Sequence, residues 1–432
     1  MTKPLSKFRL RRLLLGTFAL FAAGLATGPT LAAGPLEGGK TIKLLFVGDP
    51  FAQVMQKHIA EFAKMAGGKI ELEVVGYPET RNKTLLNSQN SESAYDIVSI
   101  DGVWMGEYAA DEILLDVTDM VPGSKIDLKE FVPSIWEMGQ VAGRQISVPV
   151  QPHPEMLEYR KDLFDRDGIA EPKTWDDVLA AAKHFHGKDG MSGICWNGAR
   201  GSALGQTFFH FIWAAGVKPL DKDGRPQLDD PKAMDAANYL LELMKYSPPG
   251  ILNMAWDERA RAYAKGECAI IYEWAGRGWI WELDESSPAR GKTVYIGAPA
   301  KAGVEAASSV GAWFLGIPSN IAEDRKQLAW EFIQWMVSPE MLKFSSKNGN
   351  GTMPSYSVMR DPELIKMYPA YPIVDKLGQE GKLLPIRPPI PEFQQLSDVF
   401  GTIFHDMISG KLTSEEAMTK AQAEAMKVMG KS

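Results

Sequence analysis

Apolar and polar positions along the chain switch repeatedly between a period of two and a helical period. Thr41-Ile42-Lys43-Leu44-Leu45-Phe46-Val47 predicts a strand closed by Gly48-Asp49-Pro50. From Phe51 to Met65 the apolar residues Val54, Met55, Ile59, Phe62 and Met65 share one helical face, and Gly67-Gly68 ends it. Lys69 to Gly76 alternates as a strand, Glu79 to Gln89 reads as a helix, and Asp96 to Asp101 as a third strand. Strands alternating with helices at this spacing predict a parallel sheet with crossover helices.

A second series follows. Ile146 to Val150 reads as a strand, and Thr174-Trp175-Asp176-Asp177 opens a helix with a capping threonine and acids in the first turn. Arg259 to Lys265 predicts a helix before the strand Cys268 to Tyr272, and helices are expected over Asp324–Val337 and Ser414–Met429. The prolines of Pro385 to Pro391 read as a stiff connection. Two α/β units suggest two lobes, and ligands of parallel sheets sit at the carboxyl ends of strands. The side chains at those exits are Asp49 and Phe51, Tyr77, Asp101 and Trp104, Gln151 and His153, and Glu273 and Trp274.

The chain's 432 residues are enough for two or three domains, and its apolar and charged content is that of a globular protein. The first 33 residues hold five cations (Lys3, Lys7, Arg9, Arg11, Arg12), no acid, an apolar run from Leu13 and a small-residue exit at Leu31-Ala32-Ala33. This is the pattern of a cleaved secretory signal peptide, too short in its apolar part for a transmembrane anchor, and it predicts an exported, periplasmic protein. Arg11-Arg12 leaves open a twin-arginine route. Without the leader, 42 basic residues face 54 acidic ones, an excess that disfavours nucleic acid and anionic lipid as partners. Two cysteines, Cys195 and Cys268, cannot form a disulfide scaffold, although an oxidising compartment permits one bond between them; two buried thiols are the alternative.

The common motifs of metal-dependent and serine hydrolysis are missing from the sequence. It holds no HExxH and no GxSxG, and His184-Phe185-His186 has no third ligand at a telling distance. No cofactor or metal is implied. Aromatic residues say more: seven of the twelve tryptophans fall between Trp196 and Trp313. Sugars present C–H faces that stack on such rings, and hydroxyls that need planar polar partners. Trp196 with Arg200, Glu273-Trp274 with Arg277, and Asp101 with Trp104 combine both kinds.

The sequence resembles the extracellular solute-binding proteins of the maltose-binding type that serve bacterial ABC importers. The resemblance is carried by Tyr95-Asp96-Ile97-Val98, by Val148-Pro149-Val150 through Leu163-Phe164, and by Pro172-Lys173-Thr174-Trp175. Lys265-Gly266-Glu267-Cys268-Ala269, Ala329-Trp330 through Pro339-Glu340, and Gly410-Lys411 before Ser414-Glu415-Glu416 complete it. It implies a periplasmic-binding-protein-like α/β fold with two lobes, each with a mainly parallel sheet flanked by helices, joined by a multi-stranded hinge. Residues 34–149 with 300–354 are then the amino-terminal lobe, and 150–299 with 355–432 the carboxyl-terminal lobe.

The resemblance also implies a monomer that captures a carbohydrate or polyol without chemistry and delivers it to permease subunits. It points to Asp49, Phe51, Tyr77, Asp101, Trp104, His153, Trp196, Arg200, Glu273, Trp274, the Gly311-Ala312-Trp313 turn and Arg387, with Arg277 added by its pairing with Trp274. Phe393 is the nearest candidate for an aromatic that relatives carry near the place of Arg387. Arg200, Arg277, Arg387 and His153 also raise an acidic sugar as ligand, unless each is paired within the cleft. A non-sugar solute (polyamine, phosphate ester or peptide) and an exported glycan-active enzyme using Asp101 or Glu273 are the alternative readings.

Overall fold

The computed structural model describes residues 34–431. The expected leader over residues 1–33 lies outside them. Eleven strands occur among the described residues: β1 (Thr41–Val47), β2 (Lys69–Val75), β3 (Ile97–Asp101), β4 (Gln140–Val141), β5 (Arg144–Gln145), β6 (Val148–Arg160), β7 (Ser192–Cys195), β8 (Cys268–Trp274), β9 (Thr293–Gly297), β10 (Ser308–Gly316) and β11 (Leu383–Leu384). Apart from the small β4–β5 hairpin they form one curled sheet in the order β2-β1-β3-β10-β6-β8-β7, with β11 beside β10 and β9 beside β6. Strands β1, β2 and β3 are parallel, as are β7 and β8. These two parallel groups belong to the two lobes, and the antiparallel strands β6 and β10 run between them.

Strand β6 is the element the sequence most understates. The expected strand ended at Val150, and the three prolines Pro149, Pro152 and Pro154 are residues that a central strand ordinarily excludes. The observed strand continues to Arg160, and all its residues are buried. Its prolines fall in the half that pairs with β10 alone, whereas Glu155 to Arg160 pairs with β8 and β9. A missing N–H on the half with one neighbour breaks no ladder. The register with β10 also shifts between Trp313 and Phe314, which takes up the extra residue Val150.

The predicted helix Phe51–Met65 is two helices, Pro50–Lys57 and Ile59–Ala66. The break is at His58, whose backbone leaves helical geometry (φ −110°, ψ 25°) and whose ring packs edge-on against Phe344. Helix Tyr77–Ser88 begins two residues earlier than predicted, which brings Tyr77 into its first turn. Thr174 closes the capping box expected of it over helix Trp175–Phe185. In the carboxyl-terminal half, helix Ser202–Ala214 is packed against helix Phe393–Ile408 so closely that a side chain on Gly205 would enter the Ser397 carbonyl, at 1.9 Å. Rings of Phe208 and Phe209 fill the rest of that interface against Phe404, Phe400 and Phe393. Phe393 is therefore core. Cys195 and Cys268, on adjacent strands β7 and β8, are joined in a disulfide with Cα atoms 5.9 Å apart.

Candidate functional site

The exits of both parallel groups and the middle of the hinge strands enclose a cavity of about 630 Å³. Such a volume falls in the ordinary range for small-molecule sites. Its floor comes from the hinge. Gln151 and His153 alternate on β6 and so face the same side, opposite Trp313 and Gly311 of β10. The first wall is formed by Asp49, Pro50 and Gln53 after β1, Tyr77 after β2 and Asp101 at the end of β3. The facing wall is built from Trp256, Asp257, Glu258 and Arg261 of one helix, and from Trp274, Arg277 and Trp279 after β8. Arg387 reaches in from the proline-rich segment, and Gln206 from helix Ser202–Ala214.

Local chemistry sets each group. Asp49 caps helix Pro50–Lys57, its Oδ1 accepting from the Ala52 amide at 2.8 Å. Burial pushes its carboxyl up to about 7, against the pull of these amides and of Arg277. Tyr77 donates to Asp101 Oδ2 at 3.0 Å. Burial raises Asp101 above the usual carboxylate range, and the charge of Arg387 opposes this. His153 is driven down to about 3 by burial, with Arg277 and Arg387 adding to the effect, so its ring is neutral. Both its nitrogens, and both side-chain polar atoms of Gln151, are buried without a hydrogen-bond partner among the described residues. Unpartnered buried polar atoms are costly, and a wall of them is suited to a ligand that both donates and accepts.

Aromatic rings line both walls. Tyr77 lies 6.0 Å from Trp313 and 6.4 Å from Trp256, bringing the two walls together. Trp256 stacks on Trp274 at 6.0 Å and an interplanar angle of 23°. His153 sits 5.4 Å from Trp274 and 6.3 Å from Trp313, completing an aromatic rim around the floor. Guanidinium groups of Arg259 and Arg277 lie 5.6 and 5.8 Å from the Trp274 ring.

Of the residues singled out in the sequence, Asp49, Tyr77, Asp101, His153, Trp274, Arg277, Gly311, Ala312, Trp313 and Arg387 line this cavity. The others do not, each for a physical reason. Phe51 turns into the core beside Phe46, at 5.9 Å. Trp104 is fully buried behind the cavity, 4.8 Å from Tyr77, and supports its ring without reaching a ligand. Trp196 points inward and donates to Ser247 Oγ at 2.7 Å. Arg200 lies outside, paired with Asp406 and donating to the Thr402 carbonyl. Glu273 is buried on the other face of β8, where its Oε1 accepts from Arg259 at 2.8 Å.

Sequence reasoning missed Trp256, Asp257, Glu258 and Arg261, whose helix was expected only from Arg259, and Gln206, which sits in an apolar run. Gln151 was noticed as a strand exit but not taken into the site. A tryptophan and two acids at the start of a helix, Trp256-Asp257-Glu258, were the available signal.

The chain is similar to known proteins over most of its length. Residues 48–343 match the family described as bacterial extracellular solute-binding proteins. A curated mannitol-binding protein of Pseudomonas aeruginosa is 24% identical over 326 residues, covering 70% of this chain and 73% of its own length. Among solved structures, an ABC transporter solute-binding protein from Agrobacterium radiobacter in complex with ribitol is 30% identical, with a TM-score of 0.84, over 91% of this chain and all of that one. A maltose-bound protein of T. maritima is 26% identical, with a TM-score of 0.80, over 90% of this chain and 99% of that one.

Proposed function

The chain belongs to the bacterial extracellular solute-binding proteins, and we propose that it captures a neutral sugar or polyol between its lobes and hands it to the membrane subunits of an ABC importer. The observation that carries this reading is the floor of the cavity. Gln151 and His153 offer unpartnered donors and acceptors there, beneath the rings of Tyr77, Trp256, Trp274 and Trp313. Hydroxyls satisfy such groups and C–H faces pack on such rings. Ribitol in the Agrobacterium radiobacter protein and maltose in the T. maritima protein support the same class of solute. In this reading the lobes are residues 34–149 with 300–354 and residues 150–299 with 355–432. The protein works as a monomer in the periplasm after loss of its leader near Ala33, and strands β6 and β10 are the hinge about which it closes.

Charge favours a neutral solute over an acidic one. Arg200 is outside the cavity, Arg277 pairs with Asp257, and Arg261 lies 2.7 Å from Glu258. His153 is uncharged, and Arg387 donates to Gln206 close enough to Asp101 for its charge to act on that carboxyl. Glu273, one of the two acids named for a glycan-active enzyme, is held by Arg259 and does not line the cavity.

A thermal-unfolding screen of residues 34–432 against ribitol, mannitol, tagatose, maltose and sugar acids tests the proposal. A solute that binds only the folded protein adds about 2.7 kcal/mol at 100 times its dissociation constant. A shift with a neutral sugar or polyol, recovered unaltered after incubation, is the expected result. Shifts confined to sugar acids, or to non-sugar solutes in a wider panel, would overturn it.

A further inference from the structure

Helix Ser202–Ala214 is buried almost all round, yet it carries a polar stripe. Gln206 and His210 share a face one turn apart with Thr207 beside them, and all three are buried. The stripe opens onto a polar chamber of about 10 Å³ behind the ligand cavity, to which Glu155, Asn197 and Ser309 also contribute. Gln206, Trp256, Trp274 and Arg387 belong to both spaces and form the partition between them.

The groups facing the chamber are only partly engaged. Asn197 Nδ2 donates to Thr207 Oγ1 at 3.1 Å, and Glu155 Oε1 accepts from Arg259 at 2.9 Å. Asn197 Oδ1 and both ring nitrogens of His210 are buried with no partner among the described residues. Burial lowers His210 to about 4, leaving a neutral ring with one donor and one acceptor nitrogen. On the cavity side of the partition, Arg387 Nη1 donates to Gln206 Oε1 at 3.0 Å. The chamber is too small for a sugar ring. Its volume and its mixed donors and acceptors suit one water molecule, which needs two to four polar partners.

We propose that the chamber is the site of one resident water, held by His210 and Asn197, that fixes the Gln206–Arg387 pair from behind. His210 is then a positioning residue for the cavity, although it does not line it. The effect on solute affinity rests on the function proposed above; the water site does not.

The test is a set of high-resolution crystal structures of the ligand-free mature chain as wild type, His210→Leu and His210→Gln. The expected result is one ordered water within about 3.2 Å of His210 and Asn197 in the wild type. In His210→Leu the water is lost and the Gln206–Arg387 hydrogen bond is broken, while His210→Gln retains both. A dry wild-type chamber, or an unmoved Gln206–Arg387 pair in His210→Leu, overturns the proposal. If the leucine variant does not fold, His210→Asn takes its place, and its shorter side chain should release Arg387 in the same way. In a parallel ribitol titration, His210→Leu is expected to lose about tenfold in affinity and His210→Gln to recover most of it. Equal affinities in wild type and His210→Leu would refute the positioning role. Failure of the wild type to bind ribitol would move the titration to the neutral solute found by screening and leave the water site to the crystal structures, which decide it independently.

Discussion

A methyl group placed on Gly311 would lie 1.7 Å from Nη2 of Arg387. The guanidinium therefore occupies the space that any other residue at 311 would fill, in the middle of hinge strand β10. Gly311 is opposite His153 on β6, so this contact sets where the cation meets the cavity floor. Gly311→Ala is expected to displace Arg387 and to weaken binding of the solute found by screening at least tenfold. Isothermal titration against the wild type checks it, and unchanged affinity would mean that the guanidinium has another resting place.

Tyr77 combines two roles that a single atom separates. Its ring packs on Trp104 and Trp313, and its hydroxyl donates to Asp101. Tyr77→Phe removes about 1 kcal/mol of hydrogen bonding and should cost roughly fivefold in affinity, whereas Tyr77→Ala also loses the ring and should cost far more. Equal losses in the two variants would assign the whole effect to the hydroxyl.

Asp49 makes stability depend on pH in a direction opposite to that of most surface acids. Its carboxyl titrates at about 7 in the folded protein, against 3.8 ordinarily. Between those values the unfolded chain has released the proton and the folded one still holds it. The contribution of this residue to stability therefore falls as pH rises from about 4 to about 7, and is level above that. Asn caps a helix as well as Asp does. Asp49→Asn should gain on the wild type across this window, by at most about 4 kcal/mol. Urea unfolding of both proteins at pH 4.5 and pH 8 measures it, and a difference independent of pH would contradict the shifted titration.

Arg259 is fully buried between Glu155 and Glu273, 2.9 and 2.8 Å away. Removing one partner of a buried ion pair leaves uncompensated charge, at a cost of about 3–5 kcal/mol. Arg259→Met should lose that much at pH 7 and less at pH 5, where the released carboxylates take up protons. Its guanidinium also lies 5.6 Å from the Trp274 ring, so a change in tryptophan fluorescence should accompany the loss. Equal destabilisation at both pH values would point to lost packing rather than stranded charge.

The disulfide between Cys195 and Cys268 closes a loop of sequence separation 73 inside the core. By loop entropy, replacing both residues with alanine should cost about 4 kcal/mol. Because both cysteines are buried, a mild reductant should leave the folded wild type unchanged and act only once it is unfolded. Thiol labelling of the native protein after such treatment checks this, and rapid labelling would refute it.

Much of this protein could be read from its residue pattern. The strands over Thr41–Val47, Lys69–Val75 and Ile97–Asp101, the capped helix after Thr174, and the presence of chemistry at the strand exits follow from local periodicity and turn chemistry. The site itself did not follow to the same degree. Glu273 and Trp274 are neighbours on β8, and alternation sends one to Arg259 and the other to the cavity. Which of the two faces the solute depends on what packs on each face of the sheet, and that is a long-range property.

The same holds at the other exits. Phe51 and Trp196 have the chemistry of a sugar site, but the phase of a helix and the path of a loop turn them into the core. Trp256 and Gln206 look like core residues in sequence, and they reach the cavity because one helix packs on β8 and the other on helix Phe393–Ile408. Sequence by itself determined the elements, the two α/β groups and the kinds of side chain placed at their ends, since these depend on neighbours a few positions away. Tertiary structure alone decided that β6 runs unbroken through three prolines, that Arg387 fits the notch at Gly311, and which exits share one cavity. Those depend on the register of strands and the packing of residues far apart in the chain.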